Sequence, residues 1–198
     1  NEPILFTVVH GKKNSIMKFT VENYLKQHNL VIENLKIHEI EKAIKLIDDT
    51  IKKDKRVAVC GNGGSAVAAS HYITDWNKMV YANTGLKFNG ICLSDNIGLI
   101  TAYSNDLSYE EVFSEQVKNL LNPGDLLIAL SGSGNSENVV KAIETANAMK
   151  VNTLAICGFD GGRLKKISNN SVWIRSNDMQ LCEDAHTVFG HIVMKSLC

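Results

Sequence analysis

The stretch Ser131-Gly132-Ser133-Gly134-Asn135-Ser136 constrains this chain more than any other, because of what flanks it. Upstream, Asp125 to Leu130 is short, almost wholly apolar and introduced by the turn pair Pro123-Gly124. Such a run suits a strand buried on both faces, although periodicity alone does not separate it from a buried helical segment. Downstream, Val139, Val140, Ile143, Ala146 and Met149 recur at helical spacing, which predicts a helix opening near Asn135 or Ser136. The loop then lies at a strand's carboxyl end and a helix's amino end, where unpaired N–H groups and the helix dipole attract anions. Three serine hydroxyls add donors, and two glycines let the backbone approach a ligand closely. Two readings fit: a cradle for a phosphate monoester, or a serine helix cap on an ordinary Gly-rich turn.

The rest of the chain repeats this alternation. Residues 19–53 contain neither Gly nor Pro and carry Leu, Ile and Val at helical intervals, which predicts one or two helices with a break near His38. Strands are expected at 56–60, 88–93, 126–130, 153–157 and 172–175. Between and after them, helices are expected over 66–79, 97–103, 109–121, 162–167 and 179–197, besides the one after the serine loop. Alternating strands and helices with short connections argue for a three-layer αβα sandwich on a doubly wound, five-stranded parallel sheet, preceded by a helical extension. Residues 1–16 read as a tag or disordered leader, with Met17 a candidate start, and 17–198 as a single domain. The leader makes a poor signal peptide, because its charges follow the apolar run and no small-residue cleavage site is present.

Composition narrows the partners. Twenty-one basic and 21 acidic side chains cancel, so neither nucleic acid nor an anionic membrane is an expected partner. No apolar run approaches the roughly 20 residues that span a bilayer. The five cysteines form no Cys-x-x-Cys pair, and three of them close expected buried strands; a protein of a reducing, cytoplasmic compartment is expected.

Ligands of an open α/β sheet bind beyond the carboxyl ends of its strands. Three polar loops follow expected strands there: Gly61 to Ser65, Ser94 to Asn96, and Ser131 to Ser136. The first also fits a dinucleotide fingerprint, but no acid occurs at residues 80–86, where the ribose-binding carboxylate belongs. His71 and Asp75 stand four apart on one helical face, a spacing that serves a metal, a shared proton or an ordinary surface pair. On the last helix, Glu183 and His186 share a face, whereas His191 is turned about 80° from Glu183 and lies roughly 12 Å further along. These groups are either ligands or polar members of a core helix.

Together Gly61-Asn62-Gly63-Gly64-Ser65-Ala66, Leu130 to Ser136, Ser104-Asn105-Asp106, the Tyr109 to Val117 stretch, Gly158 to Gly162 and Gly190-His191 resemble the sugar isomerase (SIS) domain family, and within it the phosphoheptose isomerases. The resemblance runs from about residue 20 to the end. It implies a phosphosugar aldose–ketose isomerase, interconverting sedoheptulose 7-phosphate and D-glycero-D-manno-heptose 7-phosphate through an enediol or enediolate, in a homotetramer. It also implies that Ser65, Ser131, Ser133 and Ser136 hold the phosphate on the loop that includes Gly132. The sugar chain is implied to touch Asn62, Gly63, Gly64, Asp95, Asn96 and Glu183. A divalent metal, Zn²⁺ by type, is implied on His71, Asp75, Glu183 and His191, with Asp75 as base and His191 as its partner acid. Three positions depart from the family's pattern: Asp75 where Glu is usual, Glu183 where Gln is usual, and Gly132 in the middle of a Ser-Thr-Ser loop. A non-catalytic alternative, a sugar-phosphate sensor or a replication-initiation adaptor, keeps the serine loop but does not need the four ligands together.

Overall fold

The computed structural model describes residues 19–198; the expected leader over 1–16 and Met17 lie outside them. The elements run α1 (Val21–Glu33), α2 (Ile37–Lys52), β1 (Val57–Gly61), α3 (Gly64–Thr84), β2 (Gly90–Cys92), α4 (Ile97–Asp106), a 3₁₀ turn (Tyr109–Glu111), α5 (Ser114–Leu120), β3 (Leu126–Ser131), α6 (Glu137–Ala148), β4 (Asn152–Cys157), α7 (Gly162–Ile167), β5 (Asn170–Trp173) and α8 (Met179–Leu197). All strand pairs are parallel, in the order β2-β1-β3-β4-β5. The expected αβα sandwich with a five-stranded parallel sheet is what the chain forms.

Alternation along the strands builds two cores, because successive side chains point to opposite faces. Val57, Val59, Leu126, Ile128 and Leu130 face α2, α3 and α8 through Ile47, Trp76 and Phe189. Ala58, Cys60, Leu127 and Ala129 face α5, α6 and α7 through Val117, Ile143 and Leu164. Every residue of β3 is buried, which is why its sequence reads as an unbroken apolar run. Helix starts follow local chemistry. Thr20 accepts from the N–H of Asn23 (3.1 Å), and Asp178 from those of Gln180 and Leu181 (3.0 and 3.2 Å).

Several expectations shift: α3 runs on to Thr84 and β2 shortens to Gly90–Cys92. The helix expected over 109–121 divides into the 3₁₀ turn and α5, where the Ser114 hydroxyl donates to the Glu111 carboxylate (2.6 Å) and Lys141 holds both Glu110 and Glu111. The last strand begins two residues earlier than expected, since Asn170 already pairs with Leu154 on β4. All five cysteines are free thiols. Among the described residues no helix is long and apolar enough to cross a membrane.

His186 of α8 is fully buried, and among the described residues neither ring nitrogen has a hydrogen-bond partner. Burial therefore penalises its cation and pushes its pKa down to about 4. The unfolded chain binds this proton near pH 6.5 while the folded chain does not, so stability present above 6.5 is lost as pH falls toward 4. The slope contributed by one such group is at most about 1.4 kcal/mol per pH unit. Urea denaturation of the wild type across that window should show the loss, and His186→Leu should flatten the curve relative to wild type.

Candidate active site

From β1 the chain runs outward to β2, then returns to lay β3 on the other side of β1. The connections leaving β1 and β3 therefore diverge and open a crevice between them, the switch point where open α/β sheets bind ligands. Gly61, the last residue of β1, pairs with Leu130, so the glycine loop and the serine loop begin side by side. They enclose a cavity of about 240 Å³, lined by Asn62, Gly63, Gly64, Ser65, Leu130, Ser131, Gly132, Ser133 and Ser136, with Met179 and Glu183 closing it from α8.

Backbone polarity in the serine loop follows from what lies behind it. The carbonyl of Gly132 accepts from the N–H of Gly158 (2.9 Å), and that of Gly134 from the N–H of Leu164 (3.0 Å). Arg163 donates its N–H to the Asn135 side chain (3.0 Å). Gly134 sits at φ +67° with its α-carbon against the Gly161 carbonyl, a position with neither the conformation nor the space for a side chain. Ser136 occupies the N-cap position of α6, yet its hydroxyl makes no capping bond; it lies 3.4 Å from the Ser131 hydroxyl instead. The Ser131 and Ser133 hydroxyls accept from the loop N–H groups of Gly134 and Asn135 (both 3.2 Å), so these two also shape the turn, and all three serines line the cavity. Gly132 also has a reason for being glycine, because a β-carbon there would run into the Met179 thioether. Met179 fills the space that a larger loop residue would take.

A second cluster forms where α3 packs on α8. His71 Nε2 lies 2.9 Å from His191 Nε2, and Asp75 Oδ2 lies 3.4 Å from the first and 3.8 Å from the second. The packing that produces this is specific. Gly190 leaves room for the Tyr72 ring, Trp76 donates from Nε1 to the Gly190 carbonyl (3.0 Å), and the Tyr72 hydroxyl donates to the His186 carbonyl. Tyr72 and Trp76 stack with centroids 4.8 Å apart. His191, next to Gly190, is thereby set down beside His71. The three donor atoms lie within 4.8 Å of one another. Tetrahedral zinc with arms of about 2.0–2.1 Å needs ligand separations of about 3.3–3.4 Å, so the set fits a small divalent cation held by three protein groups.

Of the four expected ligands the structure brings three together; the Glu183 carboxylate lies against Gly64 in the serine cavity, about two turns before His191 on α8. Asp95 borders a separate hollow with Ser94, Val67 and His71. Asn96 caps α4, accepting from the N–H of Leu99 (3.1 Å), so its side-chain oxygen is already engaged.

A family profile described as SIS domain matches residues 23–158. The phosphoheptose isomerase of Aliarcobacter butzleri is 35% identical over 163 residues, covering 82% of this chain and 85% of the relative. That of Campylobacter concisus is 33% identical over 185 residues, covering 92% and 97%. This chain belongs to the SIS domain family, in its phosphoheptose isomerase group. A solved phosphoheptose isomerase from Francisella tularensis superposes with TM-score 0.81 at 27% identity, over 89% of this chain and 95% of that one. The phosphoheptose isomerase GmhA of Neisseria gonorrhoeae has the same fold, with TM-score 0.83 at 24% identity.

Three residues of this SIS domain escaped the sequence reading. Met179 closes the cavity, while Tyr109 and Asn138 hold Asn62 from behind. Tyr109 stood in a stretch that carried the resemblance, without a role of its own, and Asn138 was a polar residue two positions after Ser136 in an apolar helix. For the cavity itself, Ser133→Ala should weaken phosphosugar binding by ~1–3 kcal/mol, the worth of a charge-assisted hydrogen bond, with little change in stability. Calorimetric titration of the variant with a sugar phosphate measures this directly.

Proposed function

We propose that this protein is a phosphosugar aldose–ketose isomerase acting on sedoheptulose 7-phosphate, to give D-glycero-D-manno-heptose 7-phosphate. The observation that supports it most is that one helix pair serves two sites. Gly64 and Ser65, at the amino end of α3, line the anion cavity, and His71 and Asp75 lie further along the same helix against His191 of α8. The seven residues from Gly64 to His71 correspond to ~10 Å. A substrate whose phosphate and carbonyl sit at opposite ends of its carbon chain needs such a separation.

In this reading the serine loop grips the phosphate, and that remote binding energy positions the reacting carbons. Asp75 turns Oδ2 toward both imidazoles, which leaves Oδ1 to take a proton from one carbon and return it to its neighbour. His191 would serve the two oxygens from the same cluster. Glu183, in the cavity itself, accepts from sugar hydroxyls. His71, Asp75 and His191 would hold a divalent cation such as Zn²⁺, which would polarise the carbonyl and stabilise developing negative charge.

A panel of five- to seven-carbon ketose phosphates, turned over with and without chelator, tests the reading. Sedoheptulose 7-phosphate should be the best substrate and chelator should suppress turnover. Asp75→Asn should abolish isomerisation while leaving sugar-phosphate affinity largely intact, because the phosphate grip lies elsewhere. Wild-type protein that turns over no member of the panel would defeat the proposal.

The proposed assembly is a homotetramer. Phe19, Val21 and Leu25 stand exposed at the amino end of the described chain, as do Val67 one turn before His71 and Ile97 beside the β2 exit loop. Burial of such side chains between subunits would also keep water from the His–Asp cluster, whose imidazoles are nearly half exposed in the single chain. Sedimentation at micromolar concentration should give a tetramer's mass; a monomer would refute it.

A further inference from the structure

Asn62 lines the serine cavity, but its amide is oriented from outside it. Asn138, in the first turn of α6 and 2% exposed, exchanges two hydrogen bonds with Asn62. Asn62 Nδ2 donates to Asn138 Oδ1 (2.8 Å), and Asn138 Nδ2 donates to Asn62 Oδ1 (2.9 Å). Such a reciprocal pair could flip as a unit, since each amide presents one donor and one acceptor to the other. The backbone prevents it. The N–H of Val139, shared with the Ser136 carbonyl (3.1 Å), also points at Asn138 Oδ1 (3.0 Å), and a backbone N–H only donates, so a flipped Asn138 would set its NH₂ against another donor. With Asn138 locked, Asn62 must keep its oxygen toward Asn138 Nδ2. Tyr109 completes the arrangement, its hydroxyl donating to the same oxygen (2.8 Å).

Counting what remains on Asn62 is then direct. Both lone pairs of Oδ1 are engaged, one Nδ2 hydrogen is spent on Asn138, and the second has no partner among the described residues. We propose that Asn138 is a positioning residue, which holds the Asn62 amide in the one orientation that offers a phosphosugar in the serine cavity an N–H rather than a carbonyl oxygen. The ligand group received is an oxygen acceptor, a sugar hydroxyl or a phosphate oxygen. This rests on the phosphosugar reading of the cavity and adds to it a buried residue that touches no substrate.

The test is a binding cycle read by calorimetry with sedoheptulose 7-phosphate, so that it does not depend on turnover. Asn138→Ala frees the Asn62 amide to turn, and affinity should fall by roughly 5- to 10-fold, the value of one such hydrogen bond. In an Asn62→Ala background the same substitution should cost nothing further. An equal loss in both backgrounds would mean that Asn138 merely supports α6, and would overturn the proposal, as would no loss in either. A second measurement needs no variant of Asn138. In ¹⁵N-edited spectra of the wild type, with the Asn62 side-chain pair assigned by its disappearance in Asn62→Ala, the ligand should move the outward proton much more than the inward one. Equal movement of the two, or none, would overturn the proposal. Wild-type protein that binds the sugar phosphate but does not isomerise it would defeat the isomerase reading alone. Wild-type protein that does not bind it would defeat both.

Discussion

Parallel pairing of β1 with β3 is the interaction on which the site depends. It runs without a break from Val57 opposite Leu126 to Gly61 opposite Leu130, and both strands are buried on both faces. A one-residue slip would reverse which side chains meet which helices, so register is strongly specified. Because the strands are parallel, α3 and α6 both start at the same edge, and their unpaired N–H groups converge on one crevice. The Asn62–Asn138 pair ties these two helix starts together above the strands. The anion cavity is thus a consequence of sheet order as much as of serine content.

The second half of the site depends on a different contact. On α3, Tyr72 and Trp76 face α8 at positions interleaved with His71 and Asp75, so the residues that dock the helices and the residues of the cluster alternate along one helix. Gly190 admits the Tyr72 ring, and the Gly190 carbonyl is held by Trp76. A helix of polar and apolar residues in this order packs firmly while leaving its imidazole and carboxylate at the rim. The same packing seals His186 inside the core, where neither ring nitrogen has a partner among the described residues, at a cost that the surrounding apolar burial offsets. Two histidines five residues apart on α8 therefore have opposite fates: one is a buried ring and the other stands half-exposed beside His71 and Asp75.

Much of this was legible in the residues. The apolar run before Ser131 and the helical spacing after Ser136 announced strand, loop and helix, since a strand buried on both faces carries no polar residue and a helix must hide one stripe. His71 and Asp75 were readable as neighbours because four residues make one turn. Where the reading slipped, local signals were weak or overruled. The break between Tyr109–Glu111 and α5 carries a local contact, Ser114 to Glu111, and a distant one, Lys141 to both glutamates, and only the second lies beyond the reach of local sequence. Glu183 and Asn96 received their roles by resemblance, and only the fold placed them: Glu183 lines the serine cavity and Asn96 caps α4.

By itself the sequence determined the alternation of strands and helices, the polar loops at strand ends and the pairing of groups one turn apart, because these depend on periods of two and 3.6 residues. Only the tertiary structure decided which loops share a crevice, which histidine meets His71 and which way the Asn62 amide points. Strand order and helix docking join residues 76 and 120 positions apart, and the donor direction of the Val139 N–H then reaches Asn62 only through its neighbour Asn138. No spacing along the chain encodes contacts of that length; they exist only once the sheet has closed and α8 has packed on α3.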